Sequence, residues 1–162
     1  MKLYLIRHAQ PQPTGDNPTL TTVGKRQAMK LGEMLVRLNV PTANTKVLTS
    51  ELLRAHLTGK HIHAILGLPS GAFAHLPTPG GAVAASVKQL MTQLRTAASQ
   101  GAQQIILVWH FPYVGGALNW LVGNNVLEWP DVYGATAHVE CDNAFGQRSG
   151  TLRWFVLPEM LP

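Results

Sequence analysis

The chain has 162 residues, a formal net charge of +5 and a hydrophobic fraction of 46%. This composition is typical of a folded globular protein and excludes an intrinsically disordered chain. The single cysteine, Cys141, excludes an internal disulfide and a zinc site built from cysteines. We expect one domain over residues 1–162 and, from the cysteine usage, a cytoplasmic location.

The arrangement of charged and apolar residues argues against two classes of partner. Lysines and arginines are scattered, without a basic run or an interleaved aromatic pattern, so nucleic-acid binding is not indicated. No apolar run approaches the roughly 18 residues of a membrane span, and the run before Arg7 is too short for a signal peptide. The basic balance instead favours an acidic partner, such as a phosphate or an acidic protein face.

Strand and helix patterns alternate along most of the chain. Thr21 is a plausible N-cap for the first helix, and Gly80 and Gly81 precede the third. In chain order, we predict a strand at 2–6, a loop at 10–18, a helix from 22 to about 38, a strand at 46–49, a helix at 51–66, a short strand at 72–76, a helix at 83–98, a strand at 105–109, a helix at 112–122, and edge strands at 135–139 and 151–156. This order predicts an α/β protein, a three-layer αβα sandwich around a mainly parallel sheet.

Polar residues follow three of the predicted strands at the point where each strand ends. Arg7 and His8 follow the first strand, Ser50 follows the second with Arg54 one helical turn later, and His110 follows the strand at 105–109. The carboxyl ends of parallel strands lie at one edge of a sheet. We therefore expect two arginines and two histidines to converge there.

Such a group of side chains has the chemistry of phosphoryl transfer. Arginines bind a phosphate dianion through paired hydrogen bonds. One histidine can attack phosphorus, and a second can stabilise the oxygens that carry charge in the transition state. The sequence thus favours an enzyme that handles phosphoryl groups.

Four segments carry a resemblance to a known family, in its order and at its spacings. They are Leu5-Ile6-Arg7-His8; Leu20-Thr21-Thr22-Val23-Gly24 with Gln27-Ala28; Val47-Leu48-Thr49-Ser50 with Arg54-Ala55 and Thr58; and His110. With them the chain resembles the histidine phosphatase superfamily, also called phosphoglycerate mutase-like. Its small size, the loop at 76–80 and the segment at 110–115 are similar to the short bacterial phosphohistidine phosphatases of the SixA type.

The resemblance implies a role for each residue of the expected site. His8 would be the nucleophile that becomes phosphorylated, Arg7 and Arg54 would hold the phosphate, and His110 would complete the pocket. The family needs no metal, and we expect no cofactor. Three positions depart from the usual pattern without removing a catalytic group: Ala9, Glu51 and Trp109 stand where relatives usually have Gly, Pro and a small residue.

A gap in the distribution of acidic residues bears on the substrate. Most relatives carry a Glu or Asp between the second arginine and the second histidine, which protonates the leaving alkoxide. This chain has no Asp or Glu from Leu52 to Leu127. A phosphohistidine needs that acid less, because its imidazole can be protonated beforehand on the other nitrogen. His75, Asp16 or Glu51 could replace the missing acid.

Three functions fit these observations. The first is a phosphatase that forms a phosphohistidine intermediate and dephosphorylates phosphohistidine in a protein. The second is a phosphomonoesterase acting on a small phosphoester, and the third is a phosphate- or phosphoprotein-binding module with little turnover. The sequence leaves the substrate's identity and the oligomeric state open.

The remaining histidines favour structural roles over a metal site. His61 and His63 point to different faces of the same predicted helix as His56, so a shared metal is not indicated. His138 and Glu140 would share a strand face with Asp142, which we expect to be a solvated edge.

Overall fold

Six strands form one mixed sheet at the centre of the computed structural model, which describes residues 1–78, 82–123 and 127–161. They are β1 (Lys2–Arg7), β2 (Thr45–Ser50), β3 (Phe73–Leu76), β4 (Gln104–Trp109), β5 (Thr136–Cys141) and β6 (Gly150–Val156). Their order across the sheet is β3-β2-β4-β1-β5-β6. The first four strands are parallel, β5 pairs antiparallel with β1, and β6 pairs antiparallel with β5.

Helices cover both faces of the sheet. They are α1 (Thr22–Arg37), α2 (Leu53–Ile65), α3 (Val83–Ser99) and α4 (Tyr113–Val122), with short 3-10 turns at Ser70–Ala72 and Pro158–Met160. Successive residues of a strand point to opposite faces. Leu5 of β1 accordingly packs with α3 and α4, and the next residue, Ile6, packs with α1 and α2. The predicted three-layer αβα sandwich with a mainly parallel sheet is confirmed.

Local signals in the sequence explain where the first two helices begin. The Thr21 hydroxyl oxygen accepts a hydrogen bond from the Gly24 N–H at 2.9 Å, which confirms the predicted N-cap of α1. Helix α2 begins at Leu53, two residues later than predicted, because β2 continues to Ser50. The side-chain oxygen of Asn17 accepts the Leu53 N–H at 2.8 Å and joins the 10–18 loop to the start of α2.

The prediction that residues 135–139 form an edge strand is wrong. The edges of the sheet are β3 and β6, and β5 lies between β1 and β6. Two hydrogen-bonded neighbours bury a strand more fully than one, and five of the six residues of β5 are buried. Gly80 and Gly81, expected to precede α3, lie outside the described residues.

His138 is therefore not on a solvated face. Its ring stacks on Tyr4 of β1 with centroids 4.6 Å apart and lies 5.4 Å from the Trp154 ring of β6, and 8% of the residue is exposed. Glu140 instead accepts a hydrogen bond from the Arg153 Nε–H at 2.8 Å. Among the described residues, no helix combines the length and apolarity needed to cross a membrane.

Candidate active site

The carboxyl ends of β1, β2 and β4 bring the predicted residues together at one edge of the sheet. The His8 N–H donates to the Trp109 carbonyl at 2.9 Å, so the β1–β4 pairing continues to the end of both strands. His8 and His110 therefore leave neighbouring strands side by side, and their ring centroids are 5.1 Å apart. Residues about a hundred positions apart in the chain meet here because the strands are parallel.

The hydrogen bonds of His8 define which ring nitrogen is free. Its Nδ1 lies 2.8 Å from the Ala9 carbonyl oxygen, which can only accept, so Nδ1 carries the proton. The other nitrogen, Nε2, accepts a hydrogen bond from the Arg54 Nε–H at 3.3 Å. The Nε2 lone pair consequently points at a guanidinium group, where a bound anion would also lie.

Burial keeps both histidines of the site neutral. The pKa of His8 is lowered from 6.5 to about 4: burial is the largest cause, the Ala9 hydrogen bond opposes it, and the positive charges of Arg54 and Arg7 add to it. Burial, followed by the effects of His8, Arg54 and Arg7, lowers the pKa of His110 to about 3. At neutral pH His8 therefore keeps the lone pair that a nucleophile requires.

Ser50 at the end of β2 orients the second histidine. Its hydroxyl oxygen lies 2.6 Å from His110 Nε2 and also accepts the Leu52 N–H at 3.4 Å. The Ser50 hydroxyl thus holds the His110 ring through Nε2. Within the described part of the chain, the buried Nδ1 of His110 has no hydrogen-bond partner.

The Arg7 guanidinium lies over two aromatic rings. Its guanidinium carbon lies 4.2 Å from the Tyr133 ring centroid and 5.5 Å from that of Phe111, and only 8% of its side chain is exposed. Arginine stacks well on aromatic faces. One end of the guanidinium forms an ion pair with Asp131. The rings fix the plane of a cation beside His8.

Backbone hydrogen bonds attach the segment at 130–135, which follows α4, to the end of β1. The Gly134 N–H lies 3.1 Å from the Arg7 carbonyl oxygen and 3.2 Å from that of His8, and the Arg7 N–H donates to Ala135 at 3.0 Å. These contacts position Asp131 and Tyr133 at the site. The Tyr133 ring centroid is 5.4 Å from that of His8.

Asp131 and Tyr133 are the two residues that the sequence analysis missed. The sequence from Leu52 to Leu127 contains no Asp or Glu, but the carboxylate of Asp131, which follows this stretch, lies at the site. It lies there because β5 is antiparallel to β1 and therefore begins at the edge where the parallel strands end. The alternation of residues in the sequence does not show that direction.

In the described part of the chain, none of the three proposed replacements for the missing acid forms a hydrogen bond with Arg7, His8, Arg54 or His110. Glu51 accepts hydrogen bonds from the hydroxyl and the N–H of Thr78, at 3.1 and 3.4 Å, and a bond from its own backbone N–H chiefly lowers its pKa. His75 belongs to the exposed edge strand β3, where its Nε2 lies 2.6 Å from Nδ1 of His56. Asp16 is exposed in the 10–18 loop.

This arrangement can bind a tetrahedral oxyanion and attack it. Two guanidinium groups supply positive charge, and His8 supplies an unprotonated ring nitrogen, Nε2, as the nucleophile. In the described residues, no group of three or more His, Cys, Asp or Glu side chains is placed to hold a metal ion.

Residues 3–77, which include Arg7, His8 and Arg54, match the model of the histidine phosphatase superfamily, branch 1. Among solved structures, the chain is similar to the protein histidine phosphatase SixA complexed with tungstate, at 25% identity over 99% of both chains and a TM-score of 0.82.

Two further structures share the fold at lower identity. A SixA structure from Agrobacterium tumefaciens is 18% identical over 97% of both chains, with a TM-score of 0.72. A phosphoserine phosphatase from Entamoeba histolytica, in complex with 3-phosphoglyceric acid, is 15% identical over 95% of both chains, with a TM-score of 0.69. The comparison with curated proteins gives no match.

Proposed function

We propose that the protein is a phosphatase that removes the phosphoryl group of phosphohistidine in a protein, with His8 as the nucleophile. The observation that carries the proposal is the state of His8: its Nδ1–H is held by the Ala9 carbonyl, and its unprotonated Nε2 accepts a hydrogen bond from Arg54. The similarity to SixA over the whole chain supports the same activity.

The first step transfers the phosphoryl group to the enzyme. His8 Nε2 forms a bond to phosphorus while the bond from phosphorus to the substrate nitrogen breaks, and that electron pair remains on the departing imidazole. The departing ring already carries a proton on its other nitrogen, so it leaves as neutral imidazole. Arg7 and Arg54 stabilise the charge on the phosphoryl oxygens, and His110 completes the pocket beside His8.

The second step regenerates the enzyme. A water oxygen bonds to phosphorus, the P–N bond to His8 breaks, and its electron pair returns to Nε2. Both protons of the water remain on the phosphate that is released. Throughout the cycle His8 Nδ1 keeps its proton, because the Ala9 carbonyl accepts it at 2.8 Å.

The partner we propose is a phosphorylated protein. The formal charge of +5 favours association with an acidic phosphoprotein, an attraction that salt weakens. A cytoplasmic location, expected from the cysteine usage, is part of the same proposal.

A phosphomonoesterase is the second candidate. The likeness to a phosphoserine phosphatase favours it, because the same fold is found in an enzyme named for a phosphate ester. Protonation of an alkoxide would then require an acid, and Glu51 is the carboxyl nearest in sequence to Arg54. Its contacts with Thr78 hold it as a hydrogen-bond acceptor, which argues against this role.

Trapping the phosphoenzyme tests the proposal. The pure protein should release inorganic phosphate from a phosphohistidine phosphocarrier, and rapid quenching in base should recover a phosphorylated chain that acid hydrolyses. His8→Ala should give neither product while keeping the wild-type circular dichroism. Phosphate release by His8→Ala at the wild-type rate would show that His8 is not the nucleophile, and wild-type binding without turnover would favour the binding-module alternative.

A further inference from the structure

Asp131 places a carboxylate on the solvent side of the candidate site. It forms an ion pair with one end of the Arg7 guanidinium. The Asp131 side chain is 77% exposed, whereas that of Arg7 is 8% exposed. The carboxylate therefore lies between the buried guanidinium and the solvent.

That side of the site is where a leaving group must lie. His8 is 5% exposed, so it attacks from the buried side of a bound phosphoryl group. The attacking and leaving atoms are roughly in line in phosphoryl transfer. The leaving group is thus on the opposite side of phosphorus, toward the solvent, where the substrate protein also is.

The negative charge of the Asp131 carboxylate favours a cationic leaving group over an alkoxide. An ionised carboxylate accepts hydrogen bonds and donates none, so Asp131 in its ion pair is not a proton source for an alkoxide. It also repels a nearby phosphate dianion. A protonated imidazole ring has the opposite requirement, because it carries a positive charge and an N–H that needs an acceptor.

We propose that Asp131 is a specificity-determining residue that accepts the N–H of the departing imidazole and so selects phosphohistidine over phosphate esters. The inference rests on the proposed function and deepens it. The carboxylate holds the proton on the substrate's distal nitrogen while the P–N electron pair moves to the nitrogen that loses phosphorus. The ring departs neutral, and Asp131 stays ionised on Arg7.

The assignment gives both imidazoles in the transfer an equivalent environment. On the enzyme side, the Ala9 carbonyl accepts the N–H of the ring that gains phosphorus, at 2.8 Å. On the substrate side, Asp131 would accept the N–H of the ring that loses it. The bonds of Gly134 to the Arg7 and His8 carbonyls fix the segment that carries Asp131, so the acceptor is positioned before the substrate binds.

The experiment compares Asp131→Asn with Glu128→Gln, which removes the same charge from an exposed residue three positions earlier. The readouts are kcat/KM on a phosphohistidine phosphocarrier, kcat/KM on p-nitrophenyl phosphate, and inhibition by inorganic phosphate. In Asp131→Asn we expect the phosphohistidine rate to fall at least about 10-fold, the loss of one hydrogen bond to a charged group. The aryl phosphate rate should stay within about threefold, and phosphate should inhibit equally or more strongly.

The pH profile separates this role from the positioning of Arg7. If Asp131 stabilises the protonated substrate ring, the loss of the phosphohistidine rate with rising pH should begin at lower pH in Asp131→Asn than in wild type. Equal losses on both substrates with weaker phosphate inhibition, or no change on phosphohistidine, would overturn the inference. Failure of the proposed function would look different, since the wild-type protein itself would then not hydrolyse phosphohistidine.

Discussion

At the scale of single residues, Arg54 has two contacts that connect it to His8. Its Nε–H meets the lone pair of His8, and its carbonyl accepts the hydroxyl of Thr58 at 2.7 Å. The Thr58 oxygen in turn accepts the Ala9 N–H at 3.0 Å. The guanidinium and the backbone that holds the His8 proton are therefore linked through Thr58.

Arg54→Ala should lower kcat/KM on any phosphoryl substrate by about 10²-fold or more, because one of the two cations that stabilise the transition state is lost. Arg37→Ala removes an equal charge from the exposed end of α1 and is the control. Steady-state kinetics of both variants measure the effect. Loss of the same size in Arg37→Ala would mean that net charge, and not the position of Arg54, controls the rate.

Two residues that depart from the usual pattern of the family, Ala9 and Trp109, are buried beside the site. Ala9 is fully buried, and its backbone rather than its methyl group contacts the site, through its N–H and carbonyl. Trp109 is fully buried at the end of β4 beneath His110, with ring centroids 5.8 Å apart. Neither side chain replaces a catalytic group.

At the scale of elements, the segment before β5 depends on a glycine. Gly134 has φ +79, and a Cβ there would lie 2.8 Å from Cγ of Pro158. The same residue donates to the carbonyls of Arg7 and His8. Both the conformation and the space at this position therefore require glycine.

Gly134→Ala should destabilise the protein by roughly 1–3 kcal/mol through backbone strain and overpacking. It should also lower kcat/KM, because the segment that holds Arg7 would shift. Gly71→Ala is the matched control, since Gly71 has open space around it and no positive φ. Urea denaturation and the kinetic assay measure the two effects. Unchanged stability and rate in Gly134→Ala would show that the segment adapts without cost.

The direction of each strand decides which site residues could be predicted from the sequence. The sequence predicted four residues of the candidate site, because apolar runs such as 105–109 end abruptly in polar residues. These four are Arg7, His8, Arg54 and His110. The direction of β5 could not be read in this way, since alternation of residues is the same in either direction. Asp131 was missed for that reason, and the buried stacking of His138 on Tyr4 was missed because it depends on β5 being internal.

At the scale of the whole molecule, two buried neutral histidines link stability to pH. Unfolded histidines have a pKa near 6.5, whereas the folded values are about 4 for His8 and about 3 for His110. Between about pH 4 and 6.5 the unfolded chain therefore binds more protons than the folded one. Stability rises with pH in this range and is lost as pH falls.

We expect the free energy of unfolding to fall between pH 7 and pH 5 by about 2 kcal/mol for each of these histidines. Urea denaturation at the two pH values measures the change. His110→Asn should retain roughly half of the pH dependence, although it is less stable at pH 7. A free energy that is constant from pH 7 to pH 5 would contradict the neutral, buried state of both rings.

We propose that the site acts on a P–N bond in preference to a P–O bond. The most direct test of this proposal is one series of kcat/KM values, at the same pH, for a phosphohistidine phosphocarrier, an aryl phosphate and an alkyl phosphate. We predict that phosphohistidine exceeds the alkyl ester by at least about 10²-fold, the low end of what a general acid contributes. The aryl phosphate should fall between them, because its leaving group needs less protonation. An alkyl ester hydrolysed as fast as phosphohistidine would contradict the claim and establish a phosphomonoesterase.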